Sequence, residues 1–115
     1  MTRSTQRVLA TLIAAGVAAQ FFLAGAGAFG ATSFSPHRAL GWALLVLAGL
    51  ASVVALAAMR FVRHSVMLLL LVGLQAAFGV LGADTQAWFG SLHGLNALAV
   101  MAAAGTLARR TWLTQ

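Results

Sequence analysis

The sequence has 115 residues, 62% of them hydrophobic and only 7% charged. Soluble domains contain about 25% charged residues, so this composition excludes an ordinary water-soluble domain and indicates a membrane protein. The net charge of +6 comes from seven arginines and one acidic residue. Because the arginines flank apolar stretches instead of forming one basic face, nucleic-acid binding is not expected. Cysteine is absent, which excludes disulfides, thiolate metal sites and a cysteine nucleophile.

Four apolar stretches are long enough to cross a bilayer as helices, which needs about 20 residues each. They cover residues 8–29, 37–59, 65–83 and 88–108. The stretches are continuously apolar and rich in Ala and Leu, unlike the alternating pattern of membrane β-strands. Their short connections predict that consecutive helices pack antiparallel. The predicted fold is therefore all-α: one integral membrane domain, an up-down-up-down four-helix bundle.

The first stretch also resembles a signal peptide, because two arginines precede an apolar run that ends in small residues. The run continues through Phe29, however, which is long for the apolar part of a signal peptide. We therefore expect it to remain as the first transmembrane helix.

The arginines predict the orientation of the bundle. Six of them would lie on one side of the membrane: Arg3, Arg7, Arg60, Arg63, Arg109 and Arg110. The other side has only Arg38, together with Asp84. The positive-inside rule then places both termini and the turn at residues 60–64 in the cytoplasm.

Two histidines are the most informative polar residues, because a polar side chain inside a membrane needs a partner or a function. Ser35 and Pro36 are typical of an N-cap and first helical position, so His37 is expected in the first turn of the second helix. His93 lies near the start of the fourth helix. Both helices start on the same side and lie diagonally across the bundle. Two such imidazoles can bind one iron from opposite faces of a haem, which makes His37 and His93 candidate metal ligands.

Five further residues are candidates for the same site. Gly41, one turn from His37, would leave space for a porphyrin, and Arg38 would pair with a propionate. Asn96 would fix a ligand or bridge to a neighbouring helix. Gln20 and Gln75, at similar depth on the first and third helices, would hydrogen-bond to each other beneath the ligand. The alternative is that His37 is an interfacial residue and His93 a hydrogen-bond donor in helix packing.

Two segments carry a resemblance to a known family. The sequence PHRALG at residues 36–41 resembles the His-Arg motif of haem A synthase, and QAAFGVLG at 75–82, followed by His93, is similar to its third and fourth helices. That enzyme has two related four-helix halves, each with a histidine pair on its second and fourth helices. The chain resembles one such half, and more closely an uncharacterised family of small four-span bacterial membrane proteins. This resemblance implies a location in the bacterial inner membrane.

The resemblance implies that His37 and His93 are axial ligands and that Gln75 and Arg38 line the pocket. The catalytic half of the enzyme has an acidic residue shortly before its His-Arg motif, whereas this chain has SFSP at residues 33–36. The resemblance therefore favours a protein that holds a cofactor over one that synthesises haem A.

The first functional hypothesis is a small membrane protein that binds one haem b for electron transfer or haem handling, with a redox or membrane-complex partner. Two axial histidines leave no open position on the iron, so an enzyme is disfavoured. The alternative is a non-catalytic accessory subunit without cofactor, which packs against a larger complex or a second copy of itself. A proton-coupled transporter is disfavoured because the predicted spans contain no acidic residue.

Overall fold

A computed structural model of the chain describes residues 3–84 and 86–114, apart from the side chain of Asp84. It contains four helices in the described residues, α1 (Arg3–Ala28), α2 (Ser35–Ala57), α3 (Val62–Asp84) and α4 (Ala87–Leu113). Each is long and apolar enough to cross a membrane, which is compatible with a multi-pass membrane protein. The all-α prediction is thereby confirmed for the described residues.

The helix ends differ from the predicted spans. α1 begins at Arg3 and α4 continues to Leu113, whereas the apolar stretches began at residue 8 and ended at 108. Helical structure does not stop where the apolar core of a membrane ends, because long arginine side chains extend their charge into the interface while their backbone stays helical. The connection between α3 and α4 falls partly outside the described residues.

The predicted cap of α2 is wrong by one residue. The helix begins at Ser35, so Phe34 is the N-cap and Pro36 lies within the first two helical positions, with no side chain capping the helix. The backbone N–H of Ser35 instead donates to Oγ of Ser33 at 3.3 Å. Pro36 still marks the helix start, since its missing N–H costs nothing in the first turn.

The four helices form an antiparallel ring in which each packs against the next and α1 packs against α4. α2 and α4 lie diagonally across the bundle, as do α1 and α3, and neither diagonal pair has described Cα atoms within 8 Å. The turn between α2 and α3 is tight, with left-handed backbone at Met59 (φ 50°) and Phe61 (φ 58°). It packs against α1, because Nε2 of Gln6 donates to the carbonyl of Arg60 at 3.3 Å.

The two ends of the bundle are packed differently. We call residues 3–17, 44–57, 62–72 and 100–113 of the four helices the arginine half, and residues 18–28, 35–43, 73–84 and 87–99 the histidine half. The core cluster lies entirely in the arginine half: Ala10, Ile13, Val17, Leu44, Ala48, Ala51, Leu68, Val72, Val100, Ala103, Ala104 and Leu107. No described side chain of the histidine half is fully buried.

Small side chains contribute to this difference. In the histidine half α1 ends in the sequence AGAGA at residues 24–28, and α4 has glycine at positions 90 and 94. Such residues bring little volume to the interior, so they bury few neighbouring side chains.

Candidate functional site

His37 and His93 meet across the histidine half. His37 lies in the first turn of α2 and His93 in the second turn of α4. Their ring centres are 6.0 Å apart, with an angle of 70° between the ring planes. The two predicted ligand residues are therefore brought together although their helices are diagonal neighbours. Both side chains are partly exposed.

Each imidazole is held by a backbone carbonyl of the preceding helix. Nδ1 of His37 is 3.2 Å from the carbonyl oxygen of Gln20, and Nδ1 of His93 is 2.8 Å from that of Gln75. A carbonyl can only accept, so each Nδ1 carries the proton and donates it. Nε2 of each neutral ring then has a free lone pair, which is the tautomer that a metal ligand needs.

Asn96 joins α4 to α3. Its Nδ2 donates to the carbonyl of Leu71 at 2.9 Å and to Oε1 of Gln75 at 2.8 Å. Of the two roles predicted for Asn96, the structure thus has the bridge to a neighbouring helix. The amide of Gln75 is fixed in this way, next to the carbonyl that holds His93.

The predicted hydrogen bond between Gln20 and Gln75 is wrong. Oε1 of Gln75 accepts from Asn96, and Oε1 of Gln20 is buried without a partner among the described residues. The Gln20 amide also occupies the space beside Gly41, because a Cβ at Gly41 would lie 3.0 Å from Nε2 of Gln20. Gly41 therefore makes room for this amide in the structure, not directly for a ligand. Arg38 is exposed, and its guanidinium takes no part in the histidine pair.

The site has an internal repeat that the sequence reasoning missed. Gln75 follows Gln20 by 55 residues and His93 follows His37 by 56 residues, and the two Gln–His pairs make the same hydrogen bond. The core repeats at the same intervals, since Ala10, Ile13 and Val17 correspond to buried residues 65, 68 and 72. The equal spacing of the two Gln–His pairs in the sequence indicates this repeat.

The repeat is broken where Asn96 corresponds to Leu40, which has no donor for an amide oxygen. This break explains why Gln75 has a side-chain partner and Gln20 has none.

Aromatic side chains around the histidines were also missed. Phe34 contacts His37 edge to face, with ring centres 6.3 Å apart, and packs over Gly27, where a Cβ would be 3.0 Å from its ring. Phe78 and Phe89 stack at 6.3 Å between α3 and α4. Phe34 is the N-cap of α2 and His37 lies in its first turn, so their spacing of three residues brings the two rings to the same side of the helix start.

A groove opens on the outside of the histidine half between α2 and α3. It has a volume of about 480 Å³ and an almost entirely apolar lining of Trp42, Leu45, Gly73, Ala76, Ala77, Val80 and Leu81. Trp42, Ala76 and Val80 directly follow Gly41, Gln75 and Gly79 in the sequence. Neighbours in a helix are about 100° apart around its axis, so the groove lies next to the helix faces that form the histidine site.

The two rings contact each other edge to face, with centres 6.0 Å apart and planes at 70°. For comparison, two imidazoles on opposite faces of one iron have ring centres about 6 Å apart, because each coordinating nitrogen lies about 2 Å from the metal and about 1 Å from its ring centre. No cluster of three or more metal-ligating side chains occurs among the described residues.

Comparison with protein-family models, with curated proteins and with solved structures gives no match to this chain. The similarity to haem A synthase and to small four-span proteins therefore stays a prediction from the short motifs at residues 36–41 and 75–82.

Proposed function

We propose that the protein is a multi-pass protein of the bacterial inner membrane that binds one haem b between His37 and His93. The observation that carries the proposal is the matched anchoring of the two rings. Both Nδ1 atoms donate to helix carbonyls, both Nε2 atoms are left as acceptors, and the rings stand 6.0 Å apart.

The number of protein ligands favours haem over a bare metal ion. Zinc in proteins takes three or four protein ligands, whereas this site offers two imidazoles and no third ligating side chain within the described residues. A porphyrin supplies four nitrogens of its own, so two axial histidines complete the coordination of its iron.

The packing of the bundle supports a ligand at the same place. A macrocycle needs volume around the iron, and the histidine half has no fully buried side chain among its described residues. The core cluster that holds the four helices together lies in the arginine half, away from the two imidazoles. The buried Oε1 of Gln20 would gain a partner from a bound molecule or from a water carried with it.

Haem with two axial histidines supplies one-electron chemistry and has no position for oxygen. The residues of this chain would hold the cofactor, fix its axial ligands in one tautomer and exclude water. The function proposed is therefore electron transfer or haem handling with a membrane partner, not catalysis. Arg38, at the exposed end of α2, is the residue that would pair with a propionate.

A visible spectrum of the purified protein tests the proposal. We expect a Soret band and sharp reduced bands of a bis-histidine haem after purification in detergent from haem-sufficient cells. His37→Ala or His93→Ala should abolish that spectrum, while His64→Ala, at the other end of the bundle, should leave it unchanged. Protein purified from such cells without a Soret band, or a spectrum unaffected by both histidine variants, would refute haem binding.

The orientation with cytoplasmic termini can be tested separately. Since the chain contains no cysteine, single cysteines at residues 62 and 32 would be the only sites for thiol labelling. A membrane-impermeant maleimide added to intact spheroplasts should modify the cysteine at 32 and not the one at 62. The opposite pattern would reverse the orientation without affecting the haem proposal.

The groove between α2 and α3 favours a second candidate, an accessory subunit without cofactor. Small residues at Gly73, Ala76 and Ala77 would let a helix of another membrane protein approach closely. In that case Ala76→Leu should abolish co-purification of a partner, and the two histidine variants should leave it intact. If the protein binds haem instead, the two histidine variants should abolish the haem spectrum and Ala76→Leu should leave it unchanged.

A further inference from the structure

A small cavity lies inside the bundle at its arginine end. Its lining comprises Gln6, Ala51, Phe61, Ser65, Leu107 and Thr111, which come from all four helices and the turn between α2 and α3. All of these residues are fully buried except Phe61, which is partly exposed. The centre of a water molecule has about 10 Å³ in which to lie, and one bound water needs about 10–15 Å³ by this measure. The cavity therefore has the size of one water molecule.

The buried polar side chains are concentrated at this cavity. Four polar side chains are fully buried among the described residues, namely Gln6, Ser52, Ser65 and Thr111, and all but Ser52 line the cavity. Oγ of Ser52 donates at 2.9 Å to the carbonyl of Ala48 in its own helix. A buried polar group destabilises a protein unless it has hydrogen-bond partners, so three such groups around one cavity indicate a shared partner.

The internal repeat places alanine where two of these polar residues stand. Ser65 corresponds to Ala10, 55 residues earlier, and Thr111 to Ala55, 56 residues earlier. Both alanines are buried in the core, with exposed fractions of 2% and 1%. The bundle thus packs with alanine at the corresponding positions, and the hydroxyl groups are not required to fill it. Both hydroxyl-bearing residues line the cavity.

The three polar side chains offer complementary hydrogen-bonding groups. Nε2 of Gln6 donates to the carbonyl of Arg60 at 3.3 Å, which leaves Oε1 as an acceptor. Oγ1 of Thr111 donates its proton to the carbonyl of Ala108 at 2.7 Å and can otherwise only accept. The hydroxyl of Ser65 can donate. A water molecule can donate to the first two groups and accept from the third, which gives the three hydrogen bonds typical of buried water.

We infer that the cavity binds one water molecule, which hydrogen-bonds to Gln6, Ser65 and Thr111 and thereby joins α1, α3 and α4. The diagonal helices α1 and α3 have no described Cα atoms within 8 Å of each other, so this bridge adds a connection that direct helix packing does not provide. Among the described residues no charged side chain lines the cavity, so an ion would be buried there without a counter-charge. Water is the ligand that the size and the polarity of the cavity share.

Ser65→Ala tests the inference, because a bound water and a dry cavity predict opposite results. With water bound, the variant removes one of its hydrogen bonds, and the equilibrium constant for unfolding should rise about fivefold, the effect of one net hydrogen bond. In a dry cavity the hydroxyl is a buried group without a partner, so its removal should leave the stability unchanged or raise it. Unfolding by dodecyl sulphate in mixed micelles measures the change.

Ser52→Ala is the matched control. Ser52 is as buried as Ser65, does not line the cavity and donates within its own helix. Both variants change helix propensity equally, so the difference between them isolates the water. Ser52→Ala should alter the unfolding constant by less than about twofold, because a serine bond to its own helix adds little stability. If Ser65→Ala is no less stable than Ser52→Ala, the water site is refuted.

The water can also be observed directly in the original protein. In micelles, nuclear magnetic resonance of protein with isotope-labelled glutamine should show a cross-peak between a long-lived water and the side-chain amide protons of Gln6. Gln6→Leu assigns this cross-peak through its loss, and Ser65→Ala should weaken it. A folded original protein without the cross-peak would overturn the inference, whatever the stability of the variants. None of these measurements depends on haem.

Discussion

Gly82→Ala should destabilise the bundle, because α3 and α4 touch through their backbones at this position. A Cβ on Gly82 would lie 2.6 Å from the backbone nitrogen of Gly90, 2.8 Å from its Cα and 3.1 Å from the carbonyl carbon of Phe89. Ordinary contacts are 3.4 to 4 Å, so the shortest of these is too close by about 1 Å. None of the three atoms belongs to a side chain that could rotate away. The start of α4 would have to move as a unit.

The size of the effect follows from two opposing terms. Inserting a methyl group into a packed contact costs about 1–3 kcal/mol, and a clash with backbone belongs to the upper part of that range. Replacing glycine by alanine inside a helix stabilises the helix by up to about 1 kcal/mol. The net expectation is a loss of about 1–2 kcal/mol.

Gly94→Ala is the matched control. It lies on α4 in the same half, and a Cβ there would meet no atom within 4 Å. Only the higher helix propensity of alanine remains, so Gly94→Ala should be as stable as the original protein or more stable by up to about 1 kcal/mol. Unfolding by dodecyl sulphate in mixed micelles, followed by circular dichroism, measures both. If Gly82→Ala proves no less stable than Gly94→Ala, the close approach of α3 and α4 is refuted.

Two further predictions concern polar and strained positions, and the same unfolding assay measures both. Gln20→Leu should stabilise the ligand-free bundle by about 1 kcal/mol because it removes a buried acceptor without a partner, whereas Gln75→Leu should destabilise it by about 1 kcal/mol because Asn96 loses its partner. Shifts of the same sign would contradict this asymmetry. Met59→Gly should stabilise by about 1 kcal/mol, since the residue has φ 50° and its side chain is 82% exposed. A loss of stability there would mean that the turn is not left-handed.

Hydropathy and connection length were sufficient to predict the number of helices, their order and the diagonal placement of His37 and His93. These features depend on total apolar content and on short loops, both of which can be read along a chain. The meeting of the two histidines followed from them because both helices start at the same end.

The contacts that hold the site depended on packing and could not be read in this way. The carbonyl that anchors each histidine belongs to a residue 17 or 18 positions earlier, and its position depends on how the two helices cross. The predicted Gln20–Gln75 hydrogen bond does not form because Oε1 of Gln75 accepts from Nδ2 of Asn96 instead. The uneven packing of the two halves was also not visible, since hydropathy does not tell residues that fill a core from those that face lipid.

The confinement of the core to the arginine half has a consequence for how such a protein can change over time. Substitutions around Ile13, Leu68 and Leu107 remove buried volume and threaten the fold, because these are the largest fully buried side chains. The histidine half has no fully buried side chain among its described residues, and its packing depends instead on close contacts such as that of Gly82 with the backbone of Gly90. The damaging change at that end is therefore one that enlarges a residue, whereas at the arginine end it is one that removes buried volume.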